Sequence, residues 1–166
     1  MHTLVCEARD QGARVAFDSN YRPRGWPSVE VARNAISAAM RLCDIALPSR
    51  ADEELLTGAG TVDEIIARYR SAGASEIIVI DGAESVTVWT EGSRQVFPTP
   101  PNPNPVDTTG AGDSFNAGYL AARVRHAPVT NAVRAAQALA SLVITERGAR
   151  SDHSSRVELV EPRERA

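Results

Sequence analysis

The residues best suited to chemistry lie between Val106 and Tyr119, in the run VDTTGAGDSFNAGY. Gly110 and Gly112 flank Ala111, and Asp113 follows in the first turn of a predicted helix. Glycines let a backbone turn tightly and come close to a ligand. A helix that begins after such a turn offers unpaired N–H groups and about half a unit of positive charge. Together these seat a phosphate-like anion. A carboxylate at the rim of that seat is electrostatically out of place unless it takes a proton there. Asp113 is therefore a candidate general base toward a hydroxyl that attacks phosphorus. The alternative is a plain glycine turn with Asp113 as an ordinary N-cap.

A second group stands at Asp18-Ser-Asn20-Tyr-Arg22, where the chain leaves a predicted buried strand over 14–18. Open α/β sheets bind ligands at the C-terminal ends of their strands. The guanidinium fork of Arg22 suits a carboxylate, the alternative being a solvated loop arginine. A third group, Asp52, Glu53 and Glu54, follows Pro48. These acids either serve a metal and phosphates or simply favour a helix N-terminus.

Composition excludes several chemistries. All 18 basic residues are arginine. A phosphate-binding loop ending in Gly-Lys-Ser/Thr, a protein-kinase strand lysine and a Schiff-base amine are therefore all ruled out. Phe115 stands where the dinucleotide fingerprint needs its third glycine, which disfavours NAD binding of the Rossmann type. A net charge of −3 argues against a nucleic-acid partner, and no apolar run reaches the length of a membrane span. His2, His126 and His153 show no ligand spacing, which argues against a zinc site. Cys6 and Cys43 both fall in helical apolar patterns and are expected to be buried free thiols in a reducing cytoplasm.

The elements that must position these groups alternate. A short helix over 2–11 ends at Gly12. Ser28 caps a helix running to about Leu42, with Val31, Ala35, Ile36, Ala39 and Met40 as its core face. A strand over 44–47 follows. Thr61 and Glu64 form a capping box for a helix that Gly73 closes. Strands follow over 76–80, 85–90 and 94–97. Pro98 to Pro105 is an extended linker, after which one helix buries Phe115, Tyr119 and Ala122. A last helix is capped by Thr130 and runs through Thr145.

The run around Asp113 resembles the C-terminal hallmark, D-T-x-G-A-G-D, of the ribokinase-like (pfkB-type) carbohydrate kinases. Asp107, Thr108, Thr109, Gly110, Ala111, Gly112, Asp113, Phe115 and Gly118 fit that pattern. The stretch FDSNYRPRGWPS resembles the family's D-x-N-x-R segment, closest to the 2-keto-3-deoxygluconate kinase branch. The resemblance covers residues 1 to about 150 and the C-terminal half of the family. It implies an α/β fold, a layered and mainly parallel sheet flanked by helices, with residues 151–166 as a charged flexible tail.

It also implies roles. The N–H groups of Gly110, Ala111 and Gly112 form an anion hole, and Asp113 is the base. Arg22, with Asn20 beside it, meets the sugar-acid carboxylate. Ser49 and Asp52 replace the asparagine and glutamate of an N-x-x-E motif that orders magnesium and phosphates. Gly82 belongs to a nucleotide-side K-x-G-A-x-G region, in which Ile80 replaces lysine and Ser85 a glycine. Asp107 and Thr109 hold a monovalent cation. The implied cofactors are ATP and Mg2+, and the implied activity is phosphorylation of a sugar or sugar acid, 2-keto-3-deoxygluconate first and fructose-type sugars second. An N-terminal half, or self-association, would cover the sheet edge and complete the sugar site. The rival is a non-catalytic nucleotide-binding remnant or partner module.

Overall fold

The computed structural model describes residues 2–148; the tail expected over 151–166, and residues 149–150 of the expected domain, lie outside them. The chain divides into two compact units that meet in sequence between Thr99 and Pro100.

The first unit is an α/β layer. It begins with α1 (His2–Asp10) and β1 (Ala16–Phe17), continues through a 3-10 turn (Pro23–Gly25) to α2 (Val29–Met40), and reaches β2 (Ile45–Ala46), α3 (Arg50–Thr57) and α4 (Val62–Ala72). A meander of β3 (Glu76–Asp81), β4 (Ser85–Thr90) and β5 (Ser93–Pro98) completes it. The strands lie in the order β1-β2-β3-β4-β5. Pairing is parallel from β1 to β3 and antiparallel from β3 to β5. The expected parallel sheet is thus its first half. Parallel neighbours need a long crossover, which α2 supplies between β1 and β2 and α3 with α4 between β2 and β3; tight turns suffice for the meander.

Local signals set most of these boundaries. The Ser28 hydroxyl accepts the Val31 N–H. Thr61 and Glu64 make the full reciprocal capping box, and Gly73 ends α4 in the left-handed conformation. The core of this unit gathers Ala32, Ile36 and Met40 of α2, Leu56 of α3, Ile65, Ile66 and Tyr69 of α4, and Ile77 and Val79 of β3. Trp26 packs at its margin, as a packing residue should.

Three expectations are corrected here. The strand over 14–18 shrinks to Ala16–Phe17 and is not buried, because among the described residues β1 pairs with β2 on one side only. The inward face of α2 is Ala32, Ile36 and Met40; Val31 and Ala35 are exposed. Ile36 and Met40 belong to both the expected and the observed face, which turns by one residue toward Ala32. Cys43 lies beyond α2 and is buried, its thiol donating to the Met40 carbonyl, whereas Cys6 is only half-buried. Burial, and then the neighbouring Asp44 charge, push the Cys43 thiol up to about 11.

The second unit holds α5 (Ala111–Val124) and α6 (Val129–Val143). Phe115, Tyr119 and Ala122 are buried along α5, as the spacing predicts. Gly118 explains how closely the helices approach: a Cβ there would lie 2.9 Å from the Ala136 Cα. Thr130 does not cap α6. Pro128 takes the cap position, and its fixed φ leads the chain into the helix two residues earlier than a cap at Thr130 would.

Candidate active site

In the first unit the parallel strands β1, β2 and β3 send three loops off the same edge. The loop after β1 carries Asp18 to Arg22, the start of α3 after β2 carries Ser49 to Asp52, and Asp81-Gly82 closes β3. Asn20 sits at φ 37°, in the left-handed region that asparagine tolerates, and its N–H donates to Asp18 Oδ1 at 2.8 Å. This turn projects Arg22 outward.

Arg22 is met by Asp52. Its Nη1 lies 3.1 Å and 3.0 Å from the two carboxylate oxygens and also donates to the Tyr21 carbonyl at 2.9 Å. Asp52, expected beside nucleotide and metal, thus faces the arginine expected to read the substrate. A second pair lies next to it, Arg50 Nη1 to Asp81 Oδ2 at 2.9 Å. That hydrogen bond and the Asp81 charge hold the Arg50 guanidinium above its ordinary range. The two pairs cross the ends of all three parallel strands, and Arg50–Asp81 fixes the chain next to Gly82, which turns at φ 52°.

Glu53 was legible only as a helix-favouring acid, yet it is fully buried. It pairs with Arg68 and accepts the Tyr69 hydroxyl at 2.8 Å. Burial first, and then the Glu53 charge, drive the Tyr69 hydroxyl far above its ordinary range. The usable signal was spacing: Glu53 and Leu56 are three apart and form the buried stripe of α3.

In the second unit α5 starts at Ala111, with Gly110 as its N-cap at φ 79°, a conformation that glycine adopts without strain. Asp113 is consequently the third residue of the helix and makes no cap bond. It is exposed, and no described residue pairs with its carboxylate. The N–H of Ala111 donates to the Thr108 carbonyl at 3.1 Å, so it is already engaged. Those of Gly110, Gly112 and Asp113 meet no acceptor among the described residues. Gly112 has ordinary helical φ, and a Cβ there would touch nothing within 4 Å. The protein's own packing therefore gives no reason for a residue that weakens a helix by about 1 kcal/mol relative to alanine.

Asp107 organises this loop. Its Oδ1 accepts the Thr109 N–H and its Oδ2 the Gly148 N–H, each at 2.9 Å. The Thr109 hydroxyl, then these two N–H groups, hold the carboxyl at about 2. Among the described residues, no group of three or more His, Cys, Asp or Glu could hold a metal ion, and no helix is long and apolar enough to cross a membrane.

Residues 1–156 match the pfkB family carbohydrate kinase pattern, and the chain belongs to that family. It is 41% identical over 150 residues to the 2-dehydro-3-deoxygluconokinase of Escherichia coli, a match covering 89% of this chain and 48% of that protein. Among solved structures it resembles the aminoimidazole riboside kinase of Salmonella enterica complexed with its riboside and an ATP analogue. The TM-score is 0.79 at 29% identity, over 87% of this chain and 50% of that one. A double-mutant fructokinase of Vibrio cholerae with fructose, ADP and potassium aligns with TM-score 0.79 at 26% identity, over 89% and 49%. The fold is thus the α/β ribokinase-like fold, and the chain spans about half the length of the relatives it matches.

Proposed function

We propose that this chain is the catalytic, C-terminal portion of a kinase that phosphorylates a sugar acid from ATP, with 2-keto-3-deoxygluconate as the first substrate and fructose-type sugars second. The observation that carries the kinase reading is the open start of α5: N–H groups on Gly112 and Asp113, and the Asp113 carboxylate beside them, that meet no partner among the described residues. Asp113 takes the proton of the primary hydroxyl as the hydroxyl oxygen attacks the γ-phosphorus and the bond from that phosphorus to the β–γ bridging oxygen breaks, ADP leaving; the N–H groups and the helix dipole stabilise charge gathering on the phosphoryl oxygens. Glycine at 112 lets the phosphate come to the backbone. Arg22 supports the acid preference, because its guanidinium is exposed at the sheet edge where substrates bind.

ATP fits this helix start. Magnesium, when bound with the nucleotide, neutralises phosphate charge, but the described residues form no cage for it. Asp52 is turned to Arg22, and both Asp107 oxygens accept N–H groups. Magnesium in this reading rides mainly on the nucleotide phosphates, as it does where a protein supplies few carboxylate ligands.

Joining the chain to the N-terminal half of the Escherichia coli relative and measuring ATP-dependent phosphorylation of 2-keto-3-deoxygluconate, fructose and ribose tests the reading. Preferred turnover of the sugar acid is expected. Nucleotide binding without turnover of any sugar would replace it with the non-catalytic reading, and preference for fructose would reassign the substrate.

A further inference from the structure

We infer that Asp52 is a positioning residue for Arg22, anchoring one corner of its guanidinium so that the opposite edge is held ready for the substrate's carboxylate. The inference rests on the sugar-acid reading of Arg22 given above. Nη1 carries two hydrogens, and both are used: one reaches the Tyr21 carbonyl, the other the two oxygens of Asp52. Nε and Nη2 meet no acceptor among the described residues. These two nitrogens form the side-on fork that receives a carboxylate bidentately. The contact to Asp52 thus fixes the arginine without consuming the edge that recognition needs.

The asymmetry of the pair points the same way. The Arg22 side chain is 67% exposed and that of Asp52 only 15%. Asp52 sits on α3, which is tied down at the very next residue by buried Glu53. The Ser49 hydroxyl also accepts the Asp52 N–H. The carboxylate is therefore the fixed partner and the long arginine the one being ordered. An exposed pair of this kind adds little stability, so its main consequence is the conformation it imposes. An arginine held in place loses less freedom when a ligand arrives, and binding is tighter for it.

The test uses the chain joined to the N-terminal half of the Escherichia coli relative, titrated separately with 2-keto-3-deoxygluconate, fructose and Mg-ATP, as wild type, Arg22→Leu, Asp52→Asn and Asp52→Glu. We expect Asp52→Asn to weaken the sugar acid by about 3- to 10-fold, the ordering cost of one long side chain. Fructose, Mg-ATP and the melting temperature should be unchanged, and Asp52→Glu should restore most of the loss. If Asp52→Asn tightens the sugar acid, Asp52 competes with the substrate and the inference is overturned. If it weakens Mg-ATP instead, Asp52 serves the nucleotide, and the inference falls equally. A loss in Arg22→Leu but none in Asp52→Asn removes Asp52 alone. No difference between wild type and Arg22→Leu removes the sugar-acid reading itself, and this inference with it.

Discussion

The Asp107 carboxylate accepts the Gly148 N–H at 2.9 Å, joining the loop before α5 to the turn after α6. Its other oxygen accepts the Thr109 N–H, so one side chain shapes the approach to the helix start and ties it to the far end of the second unit. The loop proposed to offer N–H groups to an anion is thereby held in shape by an anion of its own.

This arrangement has a pH signature. The Asp107 carboxyl is lowered from 3.8 to about 2 in the folded chain. A depressed folded value means that the stabilisation is fully present above the unfolded value and is lost as pH falls through the folded one. Melting temperatures of wild type and Asp107→Asn should therefore differ most above about pH 4 and converge toward about pH 2. A constant gap across that window would count against the bonds.

Gly112→Val should leave the unliganded fold intact, since a Cβ there meets no neighbour within 4 Å. It should abolish the protection that ATP or inorganic phosphate gives against thermal unfolding. Equal protection in both proteins would remove the anion seat.

Asp113→Asn distinguishes catalysis from a role in the helix. Asp113 makes no cap bond, so the substitution breaks no hydrogen bond within α5. In the chain joined to a relative's N-terminal half, kcat should fall by about 10²- to 10⁴-fold, the usual worth of a general base. ATP affinity should hold or improve, because a negative charge near the γ-phosphate is gone. Retained turnover would end the role of Asp113 as base.

Glu53→Ala leaves Arg68 and the buried Tyr69 hydroxyl without their acceptor. A loss of about 3–5 kcal/mol is expected, as for breaking a buried pair on one side. Tyr69→Phe should cost less, about 1–3 kcal/mol, since Glu53 keeps Arg68. Denaturant unfolding of both variants checks the order.

The two thiols should separate by reactivity. With its thiol at about 11 and its side chain buried, Cys43 has almost no thiolate near neutral pH. Half-buried Cys6 should be alkylated first in the native chain, Cys43 only on unfolding. Mass spectrometry after brief labelling reads this directly, and early labelling of Cys43 would contradict its burial.

Short-range features were legible from sequence. The Ser28 cap, the Thr61–Glu64 box, the Gly73 stop and the buried Phe115, Tyr119 and Ala122 each depend on residues within a few positions of one another. The glycine-capped start of α5 was legible for the same reason, since seat and carboxylate lie on one loop and one helix turn. Tertiary structure decided what sequence spacing leaves open. Arg22 meets Asp52 across 30 residues, and Arg50 meets Asp81 across 31. A chain with 18 arginines and 21 acids admits many such pairings, and only the sheet that brings β1, β2 and β3 side by side selects these. It was likewise the packing of α3 on α4 that put Glu53 inside and left Asp52 beside it at the surface, one residue apart, because neighbours on a helix point about 100° from each other.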